Sequence, residues 1–551
     1  MSELLQVTLL LPAIGAILLP GRREAARLSA LLISLAVLGA TAWLVYHFPG
    51  GSEPWAAADW HWLGWAGTAT IDIRFSVALD GLSIWLFALT ALLTLTAVLI
   101  GWEAINEQAP LYYRLLLLLE TGMLGVFVAQ DIILFYIFFE FTLIPLFFLI
   151  GIWGSEQRRY AAVKFFLYTL AGSVLTFLGL LAVVLWDYYH PTGDPATWRM
   201  TFSIAELTDT LRLRPMSLAV QSWIFLALLV GFAVKVPLFP LHTWLPLAHV
   251  EAPAGGSVIL AGVLLKIGGY GFLRFCLPML PQATALFMPW LMWISLAGVI
   301  YGALVALAQS DVKRLIAYSS VSHMGFCTLG LFALNRTAAA GGVLQMITHG
   351  LATGGLFAVV GMIYERFHTR QIADFSGLAR RMPRLAFFTL VLTLSSIALP
   401  GLGGFASEFP LLLGVFQRGW TCAATAEIAW QLRTIAVLSM SGVVLGAWYM
   451  LWMYERVFFG PLRVPHSPTE NTSAGHDLPK DLSLREVLCL TPLVMAVLWI
   501  GLQPRFFVER LAPTVNNLIK PAAVAIDHRC LSDEAAGPAV KSHTILDISS
   551  P

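Results

Sequence analysis

The chain is short of charge. Of its 551 residues only 12% are Asp, Glu, Lys or Arg, against 58% hydrophobic, where a soluble domain carries about 25% charged residues. With a mean hydropathy of +0.77, that scarcity excludes a water-soluble globule and leaves a polytopic membrane protein. Cysteine is scarce too. Cys276, Cys327, Cys422, Cys489 and Cys530 are scattered, with no CxxC and no His/Cys ligand spacing, which argues against an iron–sulfur cluster, a structural zinc or a disulfide framework. No GxGxxG stands between a strand and a helix, and there is no Walker loop. The residues therefore offer no recognisable redox-cofactor site and no nucleotide-hydrolysing site. No basic tract is long enough to follow phosphates, so nucleic acid is not an expected partner.

What the chain has in abundance is apolar runs. Windows of about 20 residues, the length a bilayer requires, fall near 4–20, 28–46, 78–100, 113–129, 131–152, 162–186, 219–245, 254–275, 285–308, 310–334, 341–364, 383–413, 431–458 and 486–504. The expected fold is all-α, with about fourteen transmembrane helices in a lipid bilayer. Met1-Ser2-Glu3 leads straight into the first run without a basic stretch, so that run reads as an uncleaved helix. A polar segment, 505–551, reads as a surface or disordered tail.

Lys/Arg bias gives the orientation. Arg22, Arg23 and Arg27, then Arg158 and Arg159, then Lys313 and Arg314, then Arg366, Arg370, Arg380, Arg381 and Arg384 all fall on one side when windows are counted alternately. That side is expected to be cytoplasmic, with both termini outside.

Seven ionisable residues sit inside the apolar runs: Glu120, Glu140, Lys235, Lys266, His323, His349 and Glu408. Each charge at the centre of a span costs roughly 2.5–3.5 kcal/mol, so seven unpaired ones would cost about 20 kcal/mol. Taken singly, a histidine in an apolar helix is more often a packed core residue, whereas Lys164, beside the arginines of its loop, reads as a snorkelling side chain. Taken together, the seven point to an internal path for protons or ions.

Two of the runs are interrupted, one at Val234-Lys235-Val236-Pro237-Leu238-Phe239-Pro240 and one at Leu399-Pro400-Gly401-Leu402-Gly403-Gly404-Phe405. Proline removes a backbone donor and glycine lets the chain unwind; such breaks survive in a bilayer only where buried in protein or lining a wet cavity. Each lies within a few residues of a charge, Lys235 or Glu408. Counted from Tyr113 and from Phe287, those charges stand at about the same depth in two successive five-helix blocks, 113–275 and 285–458. Five is odd, so the blocks are expected to be inverted repeats, each with a broken helix, which is the best sequence pointer to a transport site. Helices in 1–112 precede them; a loop and a last helix, 459–504, follow.

At these residues the chain resembles a known family, the antiporter-like membrane subunits of respiratory complex I and their Mrp-antiporter relatives. The resemblance is carried by Phe138-Phe139-Glu140-Phe141, by 235–246 (KVPLFPLHTWLP), by Ala248-His249-Val250-Glu251-Ala252-Pro253, by Leu264-Leu265-Lys266, by 309–325 (QSDVKRLIAYSSVSHMG) and by His349. Members differ in the second broken helix, some carrying lysine and others glutamate; Gly404-Phe405-Ala406-Ser407-Glu408-Phe409 matches the glutamate type. The long lateral helix that one lysine-bearing member adds at its end is not evident in the sequence.

The resemblance implies that Glu140 and Lys235 form a switching pair. Lys266 and His323 would be a central relay, with His349 in support, Glu408 leading outward and Glu120 accessory. It also implies that the chain performs no redox step itself: flavin, iron–sulfur clusters and quinone would belong to other subunits, and the neighbours would be the antiporter-like chains L and N in a bacterial cytoplasmic membrane. Other readings are an Mrp-type cation/proton antiporter subunit, the membrane subunit of a ferredoxin- or hydrogenase-linked complex, or a scaffold whose internal charges do nothing.

Overall fold

The computed structural model describes residues 1–63, 71–191, 199–421, 426–463 and 480–535; Cys422 lies outside them. Apolar helices α1 (Ser2–Leu18) and α2 (Arg23–His47) come first. The hairpin β1 (Trp55–Leu63) and β2 (Ile71–Leu79) leads to α3 (Ser83–Ala104). A first block follows: α4 (Ala109–Val128), α5 (Ile132–Trp153), α6 (Arg158–Tyr189), the short strand β3 (Met200–Thr201), α7 (Ile204–Leu213), α8 (Leu218–Lys235), α9 (Trp244–Glu251) and α10 (Ala254–Met279). The second block is α11 (Pro281–Leu307), α12 (Val312–Phe332), α13 (Arg336–Phe367), α14 (Pro383–Ser396), α15 (Gly403–Thr421) and α16 (Ala426–Phe458). Helices α17 (Leu484–Leu502) and α18 (Pro504–Ala535) close the described chain.

Twelve of these helices are long and apolar enough to cross a membrane, so the expected number of fourteen is not reached on length and composition. The remaining two windows fall on shorter apolar helices, α1 and α14. α14 is short because it is half of an element: the chain breaks at 397–402 and resumes in α15.

The two blocks share one plan. Asp131 accepts from the Ile133 and Leu134 amides at the start of α5, and Asp311 does the same for Lys313 and Arg314 at the start of α12, each satisfying orphan donors of a helix N-terminus. Each of these aspartates also bridges antiparallel to the segment between its block's third helix and its broken helix, Asp131 to Ser203 and Asp311 to Gln371. The third helix of each block, α6 and α13, has 32 residues. Both broken helices close their first half alike: the Leu238 amide donates to Ala233 O at 2.9 Å, and the Leu399 amide to Leu394 O at 3.0 Å. These six-residue bonds cap carbonyls the breaks would otherwise strand.

Burial is concentrated where the blocks meet. The apolar windows of α10 and α13 are wholly buried and that of α12 nearly so, whereas α2 keeps most of its surface outward. A helix apolar all round belongs inside a bundle, and these three carry Lys266, His349 and His323. At one end, β1 pairs antiparallel with β2, and β2 pairs with β3 through Ile71↔Met200 and Asp72↔Thr201, tying the loop after α2 to the loop after α6.

The segment expected to be a polar tail is instead helical as far as Ala535, the last described residue. In α18, Phe507, Leu511, Val515, Ile519, Ala522 and Ile526 are buried at spacings of three and four, which places them on one face. Thr514 Oγ1 accepts from the Gly81 amide at 3.1 Å and donates to Gly51 O at 3.0 Å. Arg418 pairs with Asp527 at 2.9 Å. The helix thus lies against α11 and α13 and reaches the loop before α3 and the last turn of α15. A one-faced apolar stripe has low average hydropathy, so a search for membrane windows passes over it. We expect Leu511→Asp to loosen α18 at a cost of about 2–5 kcal/mol, visible as accelerated proteolysis within 504–535 of the purified protein.

Candidate functional site

The two helix breaks orient their charges. Lys235 is the last residue of α8, where unpaired carbonyls favour a cation, and Glu408 stands in the second turn of α15, beyond its unpaired amides. The charges therefore occupy opposite halves of their broken helices, one before the break and one after it. The Trp244 indole donates to Val234 O at 2.9 Å, holding the first break together beside the lysine.

Lys235 and Glu140 do not form a closed ion pair. The Lys235 ammonium lies 4.4 Å from the centroid of the Phe139 ring, a cation–π contact with the residue next to Glu140. Glu140 is the carboxylate in electrostatic range of that ammonium, and its Oε1 has no hydrogen-bond partner. The glutamate is the next-to-last residue of the first part of α5, which is interrupted at Thr142. Pro145 explains the interruption, because its ring cannot coexist with the carbonyl four residues back.

Lys266 is fully buried. Its Nζ is 2.8 Å from His349 Nδ1 and donates to Ala261 O at 2.5 Å. Two features allow this. The helix α10 carries π turns at Leu260–Leu264 and Phe272–Cys276, on either side of the lysine; a π turn disturbs the regular ladder, and Ala261, whose carbonyl the ammonium uses, lies within the first. Secondly, α10 and α13 cross at Gly262 and Gly350. A Cβ at Gly350 would stand 2.7 Å from Gly262 O, so only glycine permits the approach that brings lysine to histidine. Along the same helix Gly268 packs against Phe232 O and Val236, which places α10 across the end of α8, beside Lys235.

From His349 the line continues. The His323 and His349 rings are 5.6 Å apart between centroids. His323 Nδ1 lies 3.3 Å from Glu408 Oε1, close enough to attract although not aligned as a hydrogen bond. Gln345 Nε2 donates to the same Oε1 at 2.7 Å. Gln345 is itself held by Thr348 at 3.2 Å and by Ser407, and Thr348 and Ser407 share a 2.9 Å bond. A cavity of about 10 Å³ lined by His323, Gln345, Thr348, His349, Ser395 and neighbours has the room one water needs. Histidine can take a proton on one nitrogen and release one from the other, so Lys266, His349, His323 and Glu408 form a continuous set of proton-holding groups.

The structure thus brings four of the seven sequence candidates into one line and puts Glu140 and Lys235 at its flank. Glu120 is not joined to it: both of its oxygens are buried without a hydrogen-bond partner. Sequence reasoning missed His249, which is buried, stacked on Phe357 at 4.5 Å, and unbonded at both ring nitrogens. The signal was present, since His249 lies in the quoted string Ala248–Pro253, but it falls at a helix end outside the middle of any apolar window. Among the described residues no group of His, Cys, Asp and Glu is arranged to hold a metal ion.

A bundle of membrane-length helices with two equivalent blocks, broken helices and a buried row of lysine, histidine and glutamate defines an antiporter-like membrane protein. A family profile described as NADH:quinone oxidoreductase/Mrp antiporter, transmembrane, matches residues 129–432, which contain both blocks' broken helices and six of the seven candidates. The chain belongs to that family. It is 42% identical over 451 residues to NADH-quinone oxidoreductase subunit M of Rhodobacter capsulatus, covering 82% of this chain and 83% of that one. It is 39% identical over 453 residues to NADH-ubiquinone oxidoreductase chain 4 of Chondrus crispus, covering 82% and 84%. Among solved structures, a chain of respiratory complex I from Thermus thermophilus superposes with a TM-score of 0.78 at 31% identity, over 94% of this chain and 99% of that one. A chain of the Mrp complex from Dietzia superposes with a TM-score of 0.75 at 20% identity, covering 97% of this chain and 56% of that one, and shares the fold.

Gln345 is the direct donor to the buried Glu408 carboxylate. We expect Gln345→Leu to lower stability by about 1–3 kcal/mol, the cost of an orphaned buried acceptor, read as a lower midpoint in thermal unfolding of the detergent-solubilised protein.

Proposed function

We propose that this chain is the proton-translocating M-type membrane subunit of a type I NADH-quinone oxidoreductase. The observation that carries the reading is the buried line from Lys266 through His349 and His323 to Glu408, in a chain whose relatives are named as subunit M and chain 4. Glutamate at 408, where lysine stands in the other antiporter-like chains, supports the M type over its relatives.

In this reading Glu140 and Lys235 are the switch. Their separation leaves the lysine resting on Phe139; closing it would stabilise both charges, and opening it would favour release of the Lys235 proton. That proton passes to Lys266, along His349 and His323, and to Glu408, from which it leaves. Each group returns to its starting state by taking a proton from the one before it, Lys235 being reprotonated through Glu140 from the cytoplasmic side. Glu120 would tune the first block electrostatically. No electron passes through this chain: flavin, iron–sulfur clusters and quinone belong to partner subunits, and quinone reduction there drives the switch by conformational and electrostatic coupling. The neighbours in the membrane are chains L and N, the membrane is the bacterial cytoplasmic one, the arginine-rich ends of the helices face the cytoplasm, and both termini lie outside.

We expect Lys235→Ala and Glu140→Ala each to abolish NADH-driven proton pumping in inverted vesicles while the complex still assembles. Normal pumping by either assembled variant would refute its role in the switch. Purification of the tagged chain in mild detergent should recover flavin- and iron–sulfur-bearing subunits with NADH-oxidising activity. Recovery of small hydrophobic partners alone would assign the chain to the cation/proton antiporters.

A further inference from the structure

One buried charged pair lies outside the line of proton-holding groups, at the far end of α10. Arg274 Nη2 stands 2.7 Å from Asp80 Oδ2, close enough for an ion pair although not aligned as a hydrogen bond. Both side chains are more than nine-tenths buried. Asp80 lies just before α3, and its Oδ1 accepts from the Leu82 and Ser83 amides at 3.0 and 2.8 Å, donors that the start of a helix leaves free. The other end of α3 meets the arginine-rich side of the bundle, where Arg485 pairs with Glu103 and Arg27 donates to Ile105 O. Asp80 and Arg274 therefore close the opposite end. Capping α3 needs only the first carboxylate oxygen. A buried guanidinium adds a desolvation cost that its pairing does little more than offset, so stability alone does not account for Arg274.

Between this pair and Lys266 stands Tyr270, fully buried. Lys266 and Tyr270 are four residues apart in an α-helical stretch, which puts them on one face, a turn from each other. The Lys266 ammonium turns the other way, to Ala261 O. The tyrosine ring is wedged against Phe127, edge-on, and Phe135, nearly parallel. Its hydroxyl accepts from Arg274 Nε at 3.1 Å and donates to Phe127 O at 3.3 Å. A phenol has one proton to give, and here it is aimed at a backbone carbonyl, which cannot pass it on. At 3.3 Å that bond is longer than O–H donors ordinarily make, so it does not hold the hydroxyl by itself. Arg274 does: turning the hydroxyl proton toward Asp80 would set it against the Nε proton. Arginine also keeps its charge at every working pH and takes up no proton that reaches it.

We propose that Arg274 seals the outer end of the first block, fixing the Tyr270 hydroxyl and occupying Asp80 so that a proton on Lys266 leaves only by way of His349, His323 and Glu408; the inference rests on the proton-translocation reading above. Arg274 is a positioning residue and carries no proton. Without it a shorter route opens. Lys266, swung toward Tyr270, gives a proton to a lone pair of the hydroxyl, and the hydroxyl's own proton passes to the Asp80 carboxylate. Asp80 then yields that proton to water outside. Lys266 is left as the neutral amine, Tyr270 again has one proton and Asp80 is a carboxylate, so one proton has crossed without turnover.

The test uses the purified complex in liposomes, with a membrane potential set by valinomycin and a potassium gradient, no NADH, and proton flux read by an entrapped pH dye. Arg274→Met should conduct protons severalfold faster than the wild type. Tyr270→Phe/Arg274→Met and Lys266→Ala/Arg274→Met should each return to the wild-type rate, because each removes a member of the short route. A wild-type rate in Arg274→Met would overturn the proposal. Equal leakage in the single variant and in either double variant would also overturn it, since the leak would then be loosened packing and not a relay. Should Arg274→Met fail to assemble, Arg274→Lys decides. Its ammonium still faces Asp80 but lacks the planar fork that holds the hydroxyl, so a leak supports the seal and a tight membrane overturns it. NADH-driven pumping by Lys266→Ala separates this from failure of the reading beneath it. If that variant pumps at the wild-type rate, translocation through the chain is refuted. If it fails to pump while Arg274→Met is tight, the seal alone is wrong.

Discussion

The low dielectric of a membrane protein's interior is the constraint on which this structure turns. A charge there must find a partner or give up its proton, and the hydrogen bond between Lys266 and His349 is one point where that demand is met. It depends on two helices being buried all round, on Gly262 and Gly350 letting them touch, and on a π turn supplying the Ala261 carbonyl. None of these is a chemical group that carries protons. Each is a backbone condition that makes the titratable groups meet.

Incomplete satisfaction is as informative as satisfaction. His323 faces Glu408 without hydrogen-bond alignment, Glu140 has an unused oxygen, and His249 has two unused nitrogens. A core selected for stability alone would pair such groups or replace them with hydrocarbon. In the proposed role these groups accept a proton at one moment and release it at another, which a single locked arrangement would prevent. The well-bonded Gln345, Thr348 and Ser407 cluster fixes one side of Glu408 and leaves its other side to His323.

The two blocks supply this environment at both broken helices with one architectural device. Asp131 and Asp311 cap equivalent helices and pin equivalent loops, and Ala233–Leu238 and Leu394–Leu399 close equivalent half-helices. The first half-helix then presents a C-terminus to Lys235, whose charge the backbone dipole favours, whereas Glu408 stands a turn past the start of its half-helix and is held by Gln345. The helix α18 lies across elements of the second block and reaches loops outside it.

The sequence by itself determined the solvent, the helical class, the two breaks and all seven ionisable candidates, because each of these follows from local composition: apolar length, proline and glycine, and charge where charge is costly. It also carried the family, through strings such as 309–325 that are too long to recur by accident. Tertiary structure decided the rest. That Lys235 rests on Phe139 and not on Glu140, that Lys266 reaches His349, that Glu120 stands apart, that His249 belongs near the line and that 504–535 is a packed helix are all consequences of how helices distant in sequence cross. Side-chain partners across such crossings are set by approach distances of a few tenths of an ångström. The residues of any one helix do not contain that information.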